Sequence, residues 1–313
     1  LKRALKELGR PIRWFADEAG QVSPAAIAKL GLTTEGYDIV VMIEHHDTAY
    51  VGLTTHVQDA DAWSLRDYGR PARDARNGML PPKLARMMVN LALGARGELR
   101  IENRESSVPI TIPDSKFPIL HSRFSLLDPF CGSGTVLMEA ALMAQSAEII
   151  GSDIEARQIA DSERNADWMV EQKLISSERR KKIRCFPHDV RVVHKSIHEP
   201  IELVVTEGFL GRSIQGHEVM AQLEREVKTV SELWRDTLTS LAQIQPSGAV
   251  LVGVWPIYES AHGELGVDIS NEVVLLGYEM VDPLAGWVKG ETELVYARED
   301  QHVKRRIVVM RRR

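Results

Sequence analysis

Residues 128–135 read Asp-Pro-Phe-Cys-Gly-Ser-Gly-Thr, and their neighbours decide what they form. The apolar run Phe124-Ser125-Leu126-Leu127 precedes them, and Val136-Leu137-Met138-Glu139-Ala140-Ala141-Leu142-Met143 follows. This order predicts a strand, a tight glycine turn and a helix. Glycine lets the backbone turn sharply and places no side chain between it and a ligand. The helix N-terminus then presents N–H groups that lack partners within the helix. Gly132 and Gly134 keep that approach open, and Asp128, at the strand's carboxyl end, is placed to hold a polar or cationic group. A glycine turn alone also serves dinucleotide-binding Rossmann sites, so the ligand class stays open at this point.

Length and composition narrow the setting. At 313 residues the chain predicts one large domain plus a smaller unit. It is 44% hydrophobic and 27% charged with a net charge of -5, which argues against a surface coated in positive charge but allows local basic patches. No apolar stretch reaches the roughly 18 residues that span a bilayer, and the start carries no secretory pattern. Cys131 and Cys185 give neither a disulfide framework nor metal-ligand spacing, so a reducing cytoplasm is the expected setting. The chain starts at Leu1, inside a helical pattern, and an upstream segment is expected.

Three stretches follow one another. Residues 1–57 carry helical spacing at 1–8, a short strand at 12–15, a helix opened by Ser23-Pro24, and a hairpin from 37–43 and 48–55. So few large apolar groups fit half of a larger domain better than an independent core. Residues 58–78 are polar and arginine-rich, as in a linker or an exposed docking strip. Leu80-Pro81-Pro82 opens an amphipathic helix over 83–93, and 95–123 read as a strand pair or loop. Strands near Leu126 and at 148–152, 183–186, 203–206 and 249–255 then alternate with helices at 136–144, 156–174 and 219–241. Such alternation predicts an α/β fold with a mostly parallel sheet covered on both faces. Strands at 273–281, 293–297 and 306–310 have no helices between them and predict an antiparallel C-terminal edge.

Ligands in such sheets sit outside the carboxyl ends of the strands. Each of the first four strand ends offers a polar group. Asp128 and the glycine turn follow the first. Asp153 follows the second, 25 positions beyond Asp128, about where a carboxylate accepts hydrogen bonds from both ribose hydroxyls. Asp189 follows the third, placed to receive an adenine amino group. Thr206-Glu207-Gly208-Phe209-Leu210-Gly211 follows the fourth. Aspartate suits turns in general, but four such ends behind one glycine turn form a series.

The octet resembles the first motif of class I methyltransferases that use S-adenosylmethionine, specifically those that modify exocyclic amines of nucleic acid. Further segments resemble one group within that class. Arg66-Asp67-Tyr68, Arg70-Pro71, Arg73-Asp74, Gly78-Met79-Leu80-Pro81-Pro82-Lys83-Leu84-Ala85 and Asn90-Leu91-Ala92 are similar to the linker and leading helix of THUMP-domain tRNA guanine-N2 methyltransferases of the guanosine-10 type. Tyr296-Ala297-Arg298, Gln301 and Val303-Lys304-Arg305-Arg306-Ile307 look like that group's closing strands. Residues 1–57 look like the second half of a THUMP domain.

The resemblance implies a Rossmann-like methyltransferase domain over 79–313, a linker over 58–78 and a partial THUMP-like α+β domain over 1–57. It implies S-adenosylmethionine held by Asp128, Cys131, Gly132, Gly134, Thr135, Asp153 and Asp189, with Pro82 and its neighbours over the methionine end. The implied partner is tRNA, gripped in that family by THUMP domains at its acceptor end. The reaction would fall to the fourth strand end, where the family carries Asp-Pro-Pro-Tyr. There an acidic side chain and a backbone carbonyl accept hydrogen bonds from the target NH2 while an aromatic ring stacks on the base. Thr206, Glu207 and Phe209 are the corresponding candidates, but both prolines are absent, the carboxylate is one carbon longer and the aromatic comes one position early. Those departures leave room for another base amine, in DNA or ribosomal RNA, or for an RNA-binding protein that has lost catalysis.

Other features carry less. Arg66, Arg70, Arg73 and Arg76 are the phosphate-binding candidates, with pairing to Asp67 and Asp74 equally open. The run Arg179-Arg180-Lys181-Lys182 and the terminal Arg311-Arg312-Arg313 read as solvated charge or RNA contacts. His45-His46 are adjacent on a strand and point to opposite faces, a poor arrangement for one metal. Cys131 has no histidine placed to activate it. Trp168 and Trp234 fall in helical apolar patterns and read as core.

Overall fold

In the computed structural model the described residues are 22–44, 48–73, 79–96, 124–285, 293–299 and 301–313. They divide into two units, 1–69 and 70–313. The expected elements at 1–8 and 12–15, the pair His45-His46 and nearly all of the 95–123 excursion lie outside the described residues.

In the first unit Ser23 caps helix α1 (Pro24–Lys29), its hydroxyl accepting from Ala26 N at 3.2 Å. Strands β1 (Ile39–Glu44) and β2 (Thr48–Leu53) pair antiparallel with Val41 opposite Val51, the expected hairpin. Successive side chains on a strand point to opposite faces. Val40, Val41 and Met42 are all exposed, so both faces of this small sheet are bare. Helix α2 (Ala60–Tyr68) occupies part of the stretch expected as a linker, with Asp59 accepting from Ala62 N at 2.9 Å. The aspartate cap was the sequence signal for it.

The second unit is built on one sheet. Strands β3 (Ser125–Asp128), β4 (Glu148–Asp153), β5 (Ile183–Pro187), β6 (Leu203–Val205) and β7 (Val250–Ser260) lie in the order β7-β6-β3-β4-β5, every neighbouring pair parallel. The antiparallel edge is β8 (Gly263–Gly266), β9 (Tyr278–Val281), β10 (Leu294–Tyr296) and β11 (Val303–Arg312). β11 pairs with β7, β9 and β10, and β8 pairs with β7. The first three strands march one way from β3, and β6 then returns to its other side. The strand order therefore reverses beside β3, where open α/β sheets bind ligands.

Helices α3 (Pro82–Ala95), α4 (Thr135–Met143), α5 (Ala156–Glu171), α6 (Ser177–Arg180), α7 (Met220–Leu241) and α8 (Ser270–Val273) accompany the sheet. Leu127, Ile150, Val204 and Leu251 join Val230, Trp234, Leu238 and Leu241 of α7 in one core. Their strand neighbours Leu126, Ile149, Leu203 and Val250 are equally buried and, by the two-residue period, cover the other face. Helix α3 packs near β6, β7 and α4.

One expectation is corrected here. Arg179 is no solvated or RNA-facing cation: it is buried and caps the end of α4, donating to the carbonyls of Ala141 (3.1 Å), Ala144 (2.8 Å) and Ala147 (2.5 Å). A cation there answers the orphan carbonyls and the negative end of the helix dipole. Arg180 bonds Asp167 and Glu163. Trp168 and Trp234 are core residues, as expected.

Candidate active site

The glycine turn forms because two residues accept left-handed backbone, Gly132 at φ +51° and Gly134 at φ +86°. A Cβ on Gly132 would stand in open space, whereas one on Gly134 would meet Ser162 Oγ at 3.0 Å. Gly134 is thus needed for close packing against α5, and Gly132 for a bare approach. Helix α5 buttresses the turn with buried polar groups: Ser162 Oγ donates to Gly132 O at 2.6 Å, and Asn165 Nδ2 donates to Ser133 O at 2.8 Å. Asn165 also exchanges two bonds with the backbone of Ala72. Sequence reading missed Ser162 and Asn165. Their signal was a polar stripe at 158, 161, 162 and 165 on a helix whose other period is apolar.

Strands β3, β4 and β6 end around one cleft of about 780 Å³. Asp128, Cys131, Gly132, Thr135, Asp153, Asp189, Glu207 and Phe209 line it; Gly134, Pro82 and Thr206 are not among its lining residues, and Met79 and Leu80 reach it in place of Pro82. Pro82 is buried as the first residue of α3.

Asp153 accepts from Gly132 N and Glu155 N, both at 3.0 Å, which fixes its carboxylate against the turn. Asp128 is buried and accepts from Thr206 Oγ1 at 2.6 Å and Phe130 N at 3.2 Å. Burial outweighs those two hydrogen bonds, with Asp153 and Glu207 nearby, and pushes its pKa up to about 7. Burial likewise drives the Cys131 thiol well up, so it is no thiolate nucleophile. Asp189 differs. Arg191 grips its carboxylate with Nε at 3.0 and 2.9 Å, which holds its pKa below the usual range.

The fourth strand end is built differently from the family's proline turn. Gly208 lies against the Trp234 indole, where a Cβ would be 3.2 Å from the ring. A proline there would press on that ring, and Trp234 supports the turn from beneath. Gly211, at φ +84°, leaves room for Tyr258, whose hydroxyl donates to Leu210 O at 2.9 Å. Phe209 is 46% exposed in the cleft, an open apolar ring. Burial raises the Glu207 carboxyl, and Arg305, with Nε 2.5 Å from Oε1, works against that rise.

Arg66 is buried, lies 4.3 Å from the Trp63 ring centroid and donates to Ala62 O at 2.9 Å. Arg70 is buried and donates to Thr135 Oγ1 at 2.7 Å. Arg73 is exposed, and Arg76 lies outside the described residues.

An open left-handed glycine, a buttressed Asp153 and the buried Asp128 suit a ligand with hydroxyls and a cationic group. Residues 121–230 match the family model described as UPF0020, RMKL-like, methyltransferase domain. The tRNA (guanine(10)-N2)-dimethyltransferase of Methanocaldococcus jannaschii is 26% identical over 217 residues, 67% of this chain and 49% of the relative. The chain thus spans about half the length of that curated relative. Among solved structures, TrmN from Thermus thermophilus is 15% identical, covering 95% of this chain and 70% of its own, with a TM-score of 0.46. NSun6 from Pyrococcus horikoshii is 11% identical, covering 62% and 50%, with a TM-score of 0.42. Residues 121–230, which match that methyltransferase-domain model, thus lie on a Rossmann-like, mostly parallel sheet whose strand order reverses beside the cleft.

Proposed function

We propose that this chain methylates the exocyclic amine of a guanine in tRNA, forming N2-methylguanosine. One observation carries the reading: the carboxylate of Glu207 and the open ring of Phe209 line the same cleft as the glycine turn. The tRNA acceptor is supported by the printed activity of the Methanocaldococcus jannaschii relative. When bound, S-adenosylmethionine supplies an electrophilic methyl on a sulfonium. Asp153 would hold its ribose hydroxyls and Asp128 its amino group, with the bare backbone at Gly132 admitting it closely. Asp189, already paired with Arg191, would meet the adenine through what acceptor capacity remains.

An exocyclic amine is a weak nucleophile because its lone pair is spread into the ring. Glu207 would accept one N–H bond, localising that lone pair, and take the proton released as the C–N bond forms, the methyl–sulfur bond breaks and S-adenosylhomocysteine leaves as a neutral thioether. Its raised pKa makes it a better proton acceptor than an exposed carboxylate. Phe209 would stack on the base and exclude water. Arg73 and Arg76 would meet phosphates, which dominate affinity for nucleic acid without reading sequence.

The test is incubation with labelled donor and total tRNA, followed by digestion to nucleosides. Labelled N2-methylguanosine is expected, and its absence rejects the reading. Running DNA and ribosomal RNA in parallel separates the other base amines. A pair as close as Glu207 and Arg305 also favours a second reading, an RNA-binding protein without turnover. Under it, S-adenosylhomocysteine binds in calorimetry but no methyl moves.

A further inference from the structure

Arg305 sits on β11 opposite Pro256 of β7, and β7 borders β6, whose end carries Glu207. The closing antiparallel strand thus delivers a cation to a turn 98 residues earlier in the chain. Only 5% of the Arg305 side chain and 12% of the Glu207 side chain are exposed. Arg305 Nε lies 2.5 Å from Glu207 Oε1, and Arg305 Nη1 donates to Gln301 Oε1 at 3.1 Å, which fixes the guanidinium plane from its other side. Glu207 Oε2 has no partner among the described residues, and both side chains line the cleft. The charged groups near this carboxylate are Arg305 from β11 and Asp128 from the end of β3; Trp234, beneath the turn, brings none.

A carboxylate this buried takes up a proton unless a cation opposes it, and a protonated carboxyl cannot accept at both oxygens. We propose that Arg305 is the positioning residue of the reaction: it engages one oxygen of Glu207, keeps the group ionised and leaves the other oxygen for the acceptor amine. This rests on the methyl-transfer reading above. The guanidinium acts through Glu207. Removing one partner of a buried ion pair costs stability, so a purely structural role predicts a lower Tm with an unmoved pH profile. A positioning role predicts a change in pH dependence.

The experiment compares wild type, Arg305→Met and Arg305→Lys in single-turnover transfer to tRNA across pH, with S-adenosylhomocysteine affinity measured by calorimetry. Arg305→Met is expected to lose about 100-fold in rate at neutral pH, to regain activity as pH rises, and to keep its affinity within about threefold. Arg305→Lys should recover at least tenfold and return the acidic limb toward wild type, since it keeps the charge. Equal rates and superimposable pH profiles in wild type and Arg305→Met overturn the proposal. Should Arg305→Met fail to fold, a folded Arg305→Lys with wild-type rate and an unmoved acidic limb at reduced Tm overturns it instead. A wild type that labels DNA or ribosomal RNA but not tRNA refutes the tRNA reading alone, and the same panel is then judged on that substrate. No transfer to any of the three refutes both.

Discussion

The two lobes of the cleft are built on opposite plans. The glycine-turn side is local: Asp128, Gly132 and Thr135 lie within eight residues, and backbone conformation shapes it. The Glu207 side is assembled from afar, its carboxylate held by Arg305 on the last strand and its turn laid on Trp234 of α7. A backbone-built pocket tolerates side-chain change but no added Cβ at its crowded glycine. A side-chain-built one tolerates backbone variation but depends on each distant partner.

Four substitutions test that contrast. Glu207→Gln should show the largest effect, a fall of roughly 10³-fold in transfer rate with donor affinity kept. Single-turnover assays that return wild-type rates would remove Glu207 from the chemistry.

Asp128 comes next, through pH. Its folded pKa stands near 7, above that of the unfolded chain, so between about pH 4 and 7 the native state binds more protons. Stability therefore declines as pH rises through that window and levels off above it. The total is on the order of 2–4 kcal/mol. Asp128→Asn should flatten the decline in urea midpoints, and parallel curves for the two proteins would contradict it.

Asp153→Ala should weaken S-adenosylhomocysteine binding by about 10–30-fold, the value of one or two hydrogen bonds to a charged group. Unchanged calorimetry would move the ribose elsewhere. The smallest effect belongs to Gly134→Ala. Its φ of +86° and the 3.0 Å approach to Ser162 predict a stability loss of about 1–2 kcal/mol. A Tm equal to wild type would mean the turn relaxes freely.

The same contrast explains what could be read from the chain alone. The glycine turn was legible because glycines, strand and helix are contiguous, and the acidic strand ends pointed to the edge where the cleft lies. Glu207 was legible as a carboxylate at the fourth strand end. Its pairing was not, because the register of β11 against β7 places Arg305 and no local signal states a register. Arg179 misled for a related reason. A basic run looks alike whether it is solvated or caps a neighbouring helix, and only packing distinguishes them. The stretch at 58–78 looked like a linker because its composition is polar, yet Asp59 nucleates a helix inside it.

Thr206 sits one peptide before Glu207, and its hydroxyl rests on the Asp128 carboxyl. An occupant that draws on Asp128 therefore bears, through a single hydroxyl, on the segment that presents the Glu207 carboxylate. One short bond thus joins the two lobes of the cleft without any helix between them.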